Sequence, residues 1–234
     1  MEDSIKREKL KEFYFQIKDC KECGLYKSRN KFVFGSGSAS APVIFIGEAP
    51  GKNEDLQGKP FVGQAGKLLD ELLFSIEFER NQIFIANVLK CRPPGNRDPR
   101  IDEINTCKKY LLKQIEIINP KIICTMGKFS TQLILNTSKG ITGLRGRIFR
   151  IGNRLVMPIN HPAAALYTPS RMTILLEDFQ KIKKLLNSDV ELSKEIENAE
   201  EKKTIFSDSA KDIAGSDKVG DITDQNKGKQ LGLF

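Results

Sequence analysis

Residues 42–76 read PVIFIGEAPGKNEDLQGKPFVGQAGKLLDELLFSI. The stretch opens on an apolar run, Val43 to Ile46, and closes on a helical pattern over residues 64–76. Between them, Gly47 to Gly66 holds five glycines and two prolines. A strand that breaks abruptly into a glycine-rich loop brings its backbone close to a ligand. A nucleotide triphosphate is not that ligand. A phosphate-cradling loop needs G-x-x-x-x-G-K-[ST]; GEAPGK is one residue short and places Asn53 where the hydroxyl should be. Glu48, Glu54 and Asp55 would also repel a polyphosphate.

Three further apolar runs follow: IFIANV (83–88), KIICTM (121–126) and LVMPIN (155–160). Each is β-rich and bounded by polar or turn residues, as buried strands are. Helical patterns separate them, at 64–76, at 100–118 and in KFSTQLIL (128–135). Asp98 is expected to cap the second of these, with Pro99 at its first position. RIFRIGNRLVMP (147–158) reads as a hairpin turning at Gly152–Asn153, and helices are expected around 3–17 and 171–187. Strands alternating with helices predict an α/β fold with a mostly parallel sheet covered on both faces. Such sheets bind ligands beyond the carboxyl ends of their strands. There the sequence places GEAPG, then Asn87 with KCRPPGNRDP, then MGK, then NHPAAAL with the only histidine, His161. The least ordinary residues of the chain thus fall at one edge of one sheet.

No internal repeat is visible, and no apolar run approaches the roughly 18 residues of a membrane span. The charged start MEDSIKREKL has no apolar signal region, so a cytoplasmic protein with reduced cysteines is expected and no membrane partner. The net charge of +8 is uneven. Residues 188–234 hold seven Lys against eleven Asp and Glu (−4), which leaves +12 on the first 187 residues. A basic body suits a polyanion, with nucleic acid as the default partner, although a lysine-rich soluble surface explains the charge as well. From 188 the apolar periodicity stops and the composition becomes that of a disordered acidic linker, through 229. The last five residues, QLGLF, turn apolar again.

Of the five cysteines, Cys124 sits in mid-strand and reads as core. Cys20 and Cys23 form C-x2-C, while Cys91 and Cys107 are farther apart. A zinc ribbon would want a second C-x2-C, and a ferredoxin-type cluster a tight run of cysteines. Neither is present, so spacing alone leaves a metal of open type or unrelated thiols.

CKECGLYKSRN, GEAPGKNEDLQGKPFVGQAGKLLD, NVLKCRPPGNRDP, ITGLRGRIF and NHPAAAL, in this order, resemble the family 4, iron–sulfur uracil-DNA glycosylases. The likeness runs from about residue 13 to 187 and makes residues 1–187 the expected catalytic domain. It implies a three-layer α/β/α fold with a central four-stranded sheet and a [4Fe-4S] cluster on Cys20, Cys23, Cys91 and Cys107. The implied activity is hydrolytic excision of uracil from single- or double-stranded DNA by a monomer. Other readings stay open: a superfamily member acting on hypoxanthine or xanthine, or a nucleic-acid-binding module with a structural four-cysteine site.

The residues suit that chemistry. A base must leave the stack to be attacked. The Asn87 amide can accept from uracil N3–H and donate to O4, and cytosine presents the opposite pattern. Phe61 is a stacking platform or else a buried loop anchor. Gly47, Glu48 and Ala49 are expected to wall the pocket with main chain, with Asn53 and Glu54 at its mouth. His161 is assigned to uracil O2, where negative charge develops. The family 1 enzymes of this superfamily carry an aspartate where Ala49 stands, so Glu48 is the candidate general base, or a screen against the thymine methyl. Arg145, Arg147 and Arg171 are expected phosphate contacts and Leu166 a wedge into the vacated stack. Tyr167 replaces an arginine common in the family. Lys52 and Lys90 lie near the motifs with no sequence sign of a depressed pKa. Gln230, Leu231, Leu233 and Phe234 resemble a bacterial sliding-clamp-binding motif, with another clamp type as second choice.

Overall fold

The computed structural model describes residues 2–187 and 195–198. Its centre is a sheet of seven strands: β1 (Ser36–Gly37), β2 (Val43–Gly47), β3 (Phe84–Asn87), β4 (Ile122–Met126), β5 (Ile148–Ile151), β6 (Arg154–Ile159) and β7 (Ile196–Asn198). The order is β1-β3-β2-β4-β6-β5-β7. The four strands legible as apolar runs, β3-β2-β4-β6, form the parallel core. β1 and β5 add to it antiparallel, and β7 lies parallel to β5. The expected four-stranded sheet is therefore the middle of a larger one. The β5–β6 hairpin turns at Gly152, whose φ of 58° a side chain would resist.

Alternation along β2 shows how the layers are filled. Ile44 and Ile46 face one side, with Phe84, Ala86, Ile123 and Val156 from neighbouring strands. Helices α1 (Glu2–Ile17), α4 (Ile101–Ile118) and α5 (Lys128–Leu135) close that side through Leu10, Leu111, Ile115 and Ile134. Val43 and Phe45 face the other side. There they meet α3 (Gln64–Phe74) through Leu69, Leu72 and Leu73, and α6 (Pro169–Leu186) through Phe179 and Ile182. Phe45 and Phe179 stack with centroids 5.5 Å apart. Each fully buried side chain of this kind contributes about 1.5–3 kcal/mol. Cys124 is fully buried in this layer, as its mid-strand place predicts.

Three boundaries differ from expectation. α4 begins at Ile101, not at Asp98–Pro99, because Glu103 reaches back to accept from the Arg100 N–H at 2.9 Å. It ends as Asn119 turns left-handed (φ 51°), its N–H returning to the Ile115 carbonyl at 2.9 Å. A short polar helix, α2 (Lys52–Gln57), occupies what reads as loop. β7 lies inside the stretch assigned to the linker, which is thus not without secondary structure. The rest of 188–229, and Gln230 to Phe234, lie outside the described residues.

The register fixes the site. Gly47 pairs with Asn87 and Met126 with Ile159, so the strands end level. Gly127 N–H donates to the Ile159 carbonyl at 3.0 Å and brings the His161 turn to the same edge.

Candidate active site

At that edge lies a cavity of about 450 Å3, lined by Glu48, Ala49, Phe61, Asn87 and His161 among others. Gly47, expected in the wall, is not itself a lining residue but sits between two that are, Asn87 and Phe61. A Cβ there would stand 2.4 Å from Asn87 Oδ1 and 2.8 Å from the Phe61 ring, so only glycine leaves the space between them open. Asn87 is 2% exposed, and its Oδ1 has no hydrogen-bond partner. A buried polar atom without a partner costs roughly 1–3 kcal/mol. The fold carries that cost at a position lining the cavity.

Phe61 holds a left-handed backbone (φ 53°) and is 5% exposed. Its ring stacks on the His161 imidazole with centroids 5.4 Å apart and planes at 29°. Gly66 makes this possible. A Cβ there would lie 1.9 Å from the Phe61 carbonyl, so this glycine admits the Phe61 loop. Glu54 accepts from the N–H groups of Val62 and Gly63, both at 2.9 Å, and so holds the same loop while facing the cavity.

His161 heads the 3-10 turn Pro162–Ala165, and its Nδ1 accepts from the Ala163 N–H at 3.1 Å. That bond fixes the tautomer: the proton sits on Nε2, which becomes a donor. Burial pushes the imidazole down to about 4, against a smaller opposing effect of the Glu54 charge. His161 is therefore neutral at neutral pH. Glu48 behaves in the opposite sense. Burial, helped by repulsion from Asp98 and opposed by Lys128, raises its carboxyl to about 7. A neutral donor and a carboxylate poised to take a proton near neutral pH now face one cavity.

Other expected site residues lie elsewhere. Asn53 is exposed on α2 and does not line the cavity. Arg145 is bound to Asp178 of α6, at 2.9 and 3.1 Å. Arg147 is paired with Glu197 of β7, its Nε at 2.7 Å from Oε1, and lies over the Phe149 ring. Both arginines thus have protein carboxylates as partners where phosphates were expected. Arg171 is exposed and donates to the Ala164 carbonyl at 3.3 Å. Leu166 packs partly against the α3–α6 core, while Tyr167 beside it is 84% exposed, its hydroxyl 3.4 Å from Gln64 Oε1.

Lys90 departs from its sequence reading. It is fully buried, and desolvation lowers it to about 8. Its ammonium donates to the Asn87 carbonyl at 3.0 Å and to Gln114 Oε1 at 2.6 Å, and it does not line the cavity. Sequence reasoning missed Gln64, Asn96 and Arg97 as lining residues. Arg97 grips Glu103 with both Nη atoms, at 2.9 and 2.5 Å, which ties the cavity rim to the first turn of α4. Its only sequence signal is its place in the quoted PPGNRDP.

Cys20, Cys23, Cys91 and Cys107 gather on the α1–α4 side of the sheet, all as free thiols. They are close enough to perturb one another electrostatically, while burial pushes Cys107 up to about 12. Arg29 points Nη1 at Cys91 Sγ (3.4 Å), and the Tyr110 hydroxyl points at Cys20 Sγ (3.1 Å). Among the described residues no three His, Cys, Asp or Glu side chains are arranged to hold a single metal ion.

A cavity lined by an aromatic ring, a buried amide, a neutral imidazole and loop backbone suits a planar heterocycle such as a nucleobase. Comparison with known proteins agrees. The Uracil DNA glycosylase superfamily pattern matches residues 34–188. Type-4 uracil-DNA glycosylases are similar to this chain. That of Sulfurisphaera tokodaii is 48% identical over 187 residues (76% of this chain, 84% of the relative). That of Saccharolobus solfataricus is 47% identical over 182 residues (74% and 84%). That of Archaeoglobus fulgidus is 42% identical over 186 residues (76% and 94%). The chain belongs to the uracil-DNA glycosylase superfamily and, within it, to the type-4 family. Among the described residues no helix is long and apolar enough to cross a membrane.

Proposed function

We propose that this protein is a uracil-DNA glycosylase that hydrolyses the N-glycosidic bond of uracil in DNA and leaves an abasic site, the first step of base-excision repair. The observation that carries the reading is the buried, unpartnered Asn87 Oδ1 at the cavity. Uracil N3–H supplies the donor this atom lacks, and the amide N–H2 can donate to O4. Cytosine N3 would face Oδ1 acceptor to acceptor, a mismatch that discriminates by orders of magnitude.

The base enters by flipping out of the stack and lies over Phe61. As the bond to the sugar lengthens, negative charge gathers on the ring. The neutral His161 Nε2–H then strengthens its bond to O2 as that oxygen becomes more basic. Glu48, ionised, takes a proton from the attacking water. Lys90 takes no part as an amine nucleophile, since its ammonium is enclosed by the Asn87 carbonyl and Gln114. Lys52, the other nearby amine, is exposed on α2 and does not line the cavity, so excision ends at hydrolysis.

Cys20, Cys23, Cys91 and Cys107 are the proposed ligands of a [4Fe-4S] cluster. Four free thiols on one side of the sheet, with Arg29 and Tyr110 donating to sulfur, suit a cluster ligated at its corners better than one ion. When bound, the cluster supplies a cross-link between the end of α1, the loop after β3, and α4. Beyond β7, the chain through residue 229 serves as a tether, and Gln230, Leu231, Leu233 and Phe234 dock to a sliding clamp, in the cytoplasm. The test of the main reading is incubation with oligonucleotides containing one uracil, cytosine, thymine or hypoxanthine, followed by alkali. Strand scission at uracil alone is expected; no scission at uracil overturns the reading.

A further inference from the structure

Nothing inside the cavity explains why Phe61 keeps a left-handed backbone with its ring against His161. The explanation lies behind the cavity, in the 3-10 turn Arg80–Gln82 that leads into β3. Arg80 Nη1 donates to the Pro60 carbonyl at 3.3 Å, and Nη2 donates both to the Phe61 carbonyl and to the Gly66 carbonyl, the latter at 3.2 Å. Its Nε is bound to Asp70 of α3. One planar fork thus gathers three carbonyls from both ends of a seven-residue segment and is itself aimed by a carboxylate. Lysine, with one point of charge, cannot reproduce that geometry.

We infer that Arg80 is a positioning residue of the base pocket, acting through Phe61. It does not line the cavity. It fixes the Phe61 loop to the root of β3, the strand whose far end is Asn87, so the stacking face and the reading amide are held by one framework. Gly66 admits the arrangement and Arg80 fastens it. The inference rests on the cavity being a uracil pocket, but its core, a clamp on Phe61, is measurable without uracil.

The chain's single histidine makes that measurement direct. His161 gives the only imidazole signals in a proton–carbon NMR spectrum, and these carry the ring-current shift of the stacked Phe61. In Arg80→Met the shift should collapse and the imidazole titration should rise from about 4 toward its ordinary 6.5 as solvent enters, with Glu54 the charged neighbour. Free uracil, assayed as a competitive inhibitor of wild-type and variant, should bind about tenfold more weakly, the worth of one aromatic stacking contact. Binding to abasic DNA should change less than about twofold, since such DNA carries no base to stack on Phe61. Phe61→Ala should reproduce the loss of uracil affinity, and Arg80→Met added to it should cost nothing further, as expected when one residue acts only through the other. If Arg80→Met does not fold, Arg80→Lys decides in its place, with intermediate losses expected. Wild-type imidazole signals in a folded Arg80 variant overturn the inference, whatever its melting temperature. Additive losses with Phe61→Ala overturn it as well. Failure of the wild type to bind uracil at all, with the NMR changes intact, would instead sink the uracil reading and leave the clamp standing.

Discussion

With Glu48 as the proposed general base, its ionisation should set the pH at which this enzyme works. Its carboxyl titrates at about 7, and His161 at about 4. A general base acts ionised, and a neutral donor acts deprotonated, so both limbs rise with pH. The imidazole limb lies well below the assay range: at pH 6 only about 1% of His161 is charged. The carboxylate limb falls within it. Glu48 is ionised in about a tenth of molecules at pH 6, half at pH 7 and nine-tenths at pH 8. Single-turnover excision under subsaturating conditions should therefore rise about tenfold from pH 6 to 8, the slope approaching one only below pH 6, then level off. Glu48→Gln should flatten the profile and lower the plateau by roughly two to four orders of magnitude. The neighbours give signed controls. Asp98→Asn removes a repulsion and should move the midpoint to lower pH, while Lys128→Met removes an attraction and should move it higher. Abasic-DNA binding measured over the same range separates this from titration of the DNA interface. A wild-type profile flat from pH 6 to 8, or a limb that survives in Glu48→Gln, would refute the assignment.

The other expectations follow from single contacts. Asn87→Asp should gain activity on cytosine, because a protonated carboxyl presents a different donor–acceptor pair; wild-type uracil turnover with cytosine still ignored would show that position 87 does not read the base. His161→Ala should slow the chemical step by roughly two to three orders of magnitude with abasic-DNA binding unchanged, and equal losses in both would mark a structural histidine. Protein purified without air should be brown with about four iron and four sulfide per chain. Cys124→Ser should keep that iron and Cys107→Ser lose it; tightly bound zinc without iron would overturn the cluster. Deleting residues 230–234 should abolish clamp binding in a calorimetric titration and leave excision from short oligonucleotides unchanged; absence of affinity in the intact protein at tens of micromolar would end that proposal.

The parallel core was legible because its signals are local. Four apolar runs each break into glycine, asparagine or histidine, and the register that levels them brings Gly47, Asn87 and His161 to one edge. The small additions were not. β1 has two residues and β7 three, too few to carry a period, and both exist through the strand beside them. α2 is six mostly polar residues whose one buried side chain, Asp55, accepts from both the backbone and the amide of Asn30. A helix held by a carboxylate leaves no apolar stripe to read. The basic run at Arg145 and Arg147 does not announce that each has a carboxylate partner, since those acids, Asp178 and Glu197, lie 33 and 50 residues away. Charge along a sequence does not show which charges the fold will pair.

The same asymmetry divides the active site. Asn87, Phe61, Glu48 and His161 could be picked out because each is an odd residue for its place: an amide ending a strand, an aromatic between glycines, an acid in a backbone loop, a lone imidazole before proline. The residues that hold them are ordinary for theirs. Arg80 precedes a strand as any surface arginine might, and besides Asp70 its partners are three main-chain carbonyls, groups every residue carries. The His161 tautomer is set by the N–H of Ala163, which has no side-chain chemistry to notice. Preorganisation here is made of backbone, and backbone is what a sequence does not spell. Substitutions among the readers should therefore change which base is excised or how fast. Substitutions among the holders should first loosen uracil and unsettle His161, at positions no motif would have nominated.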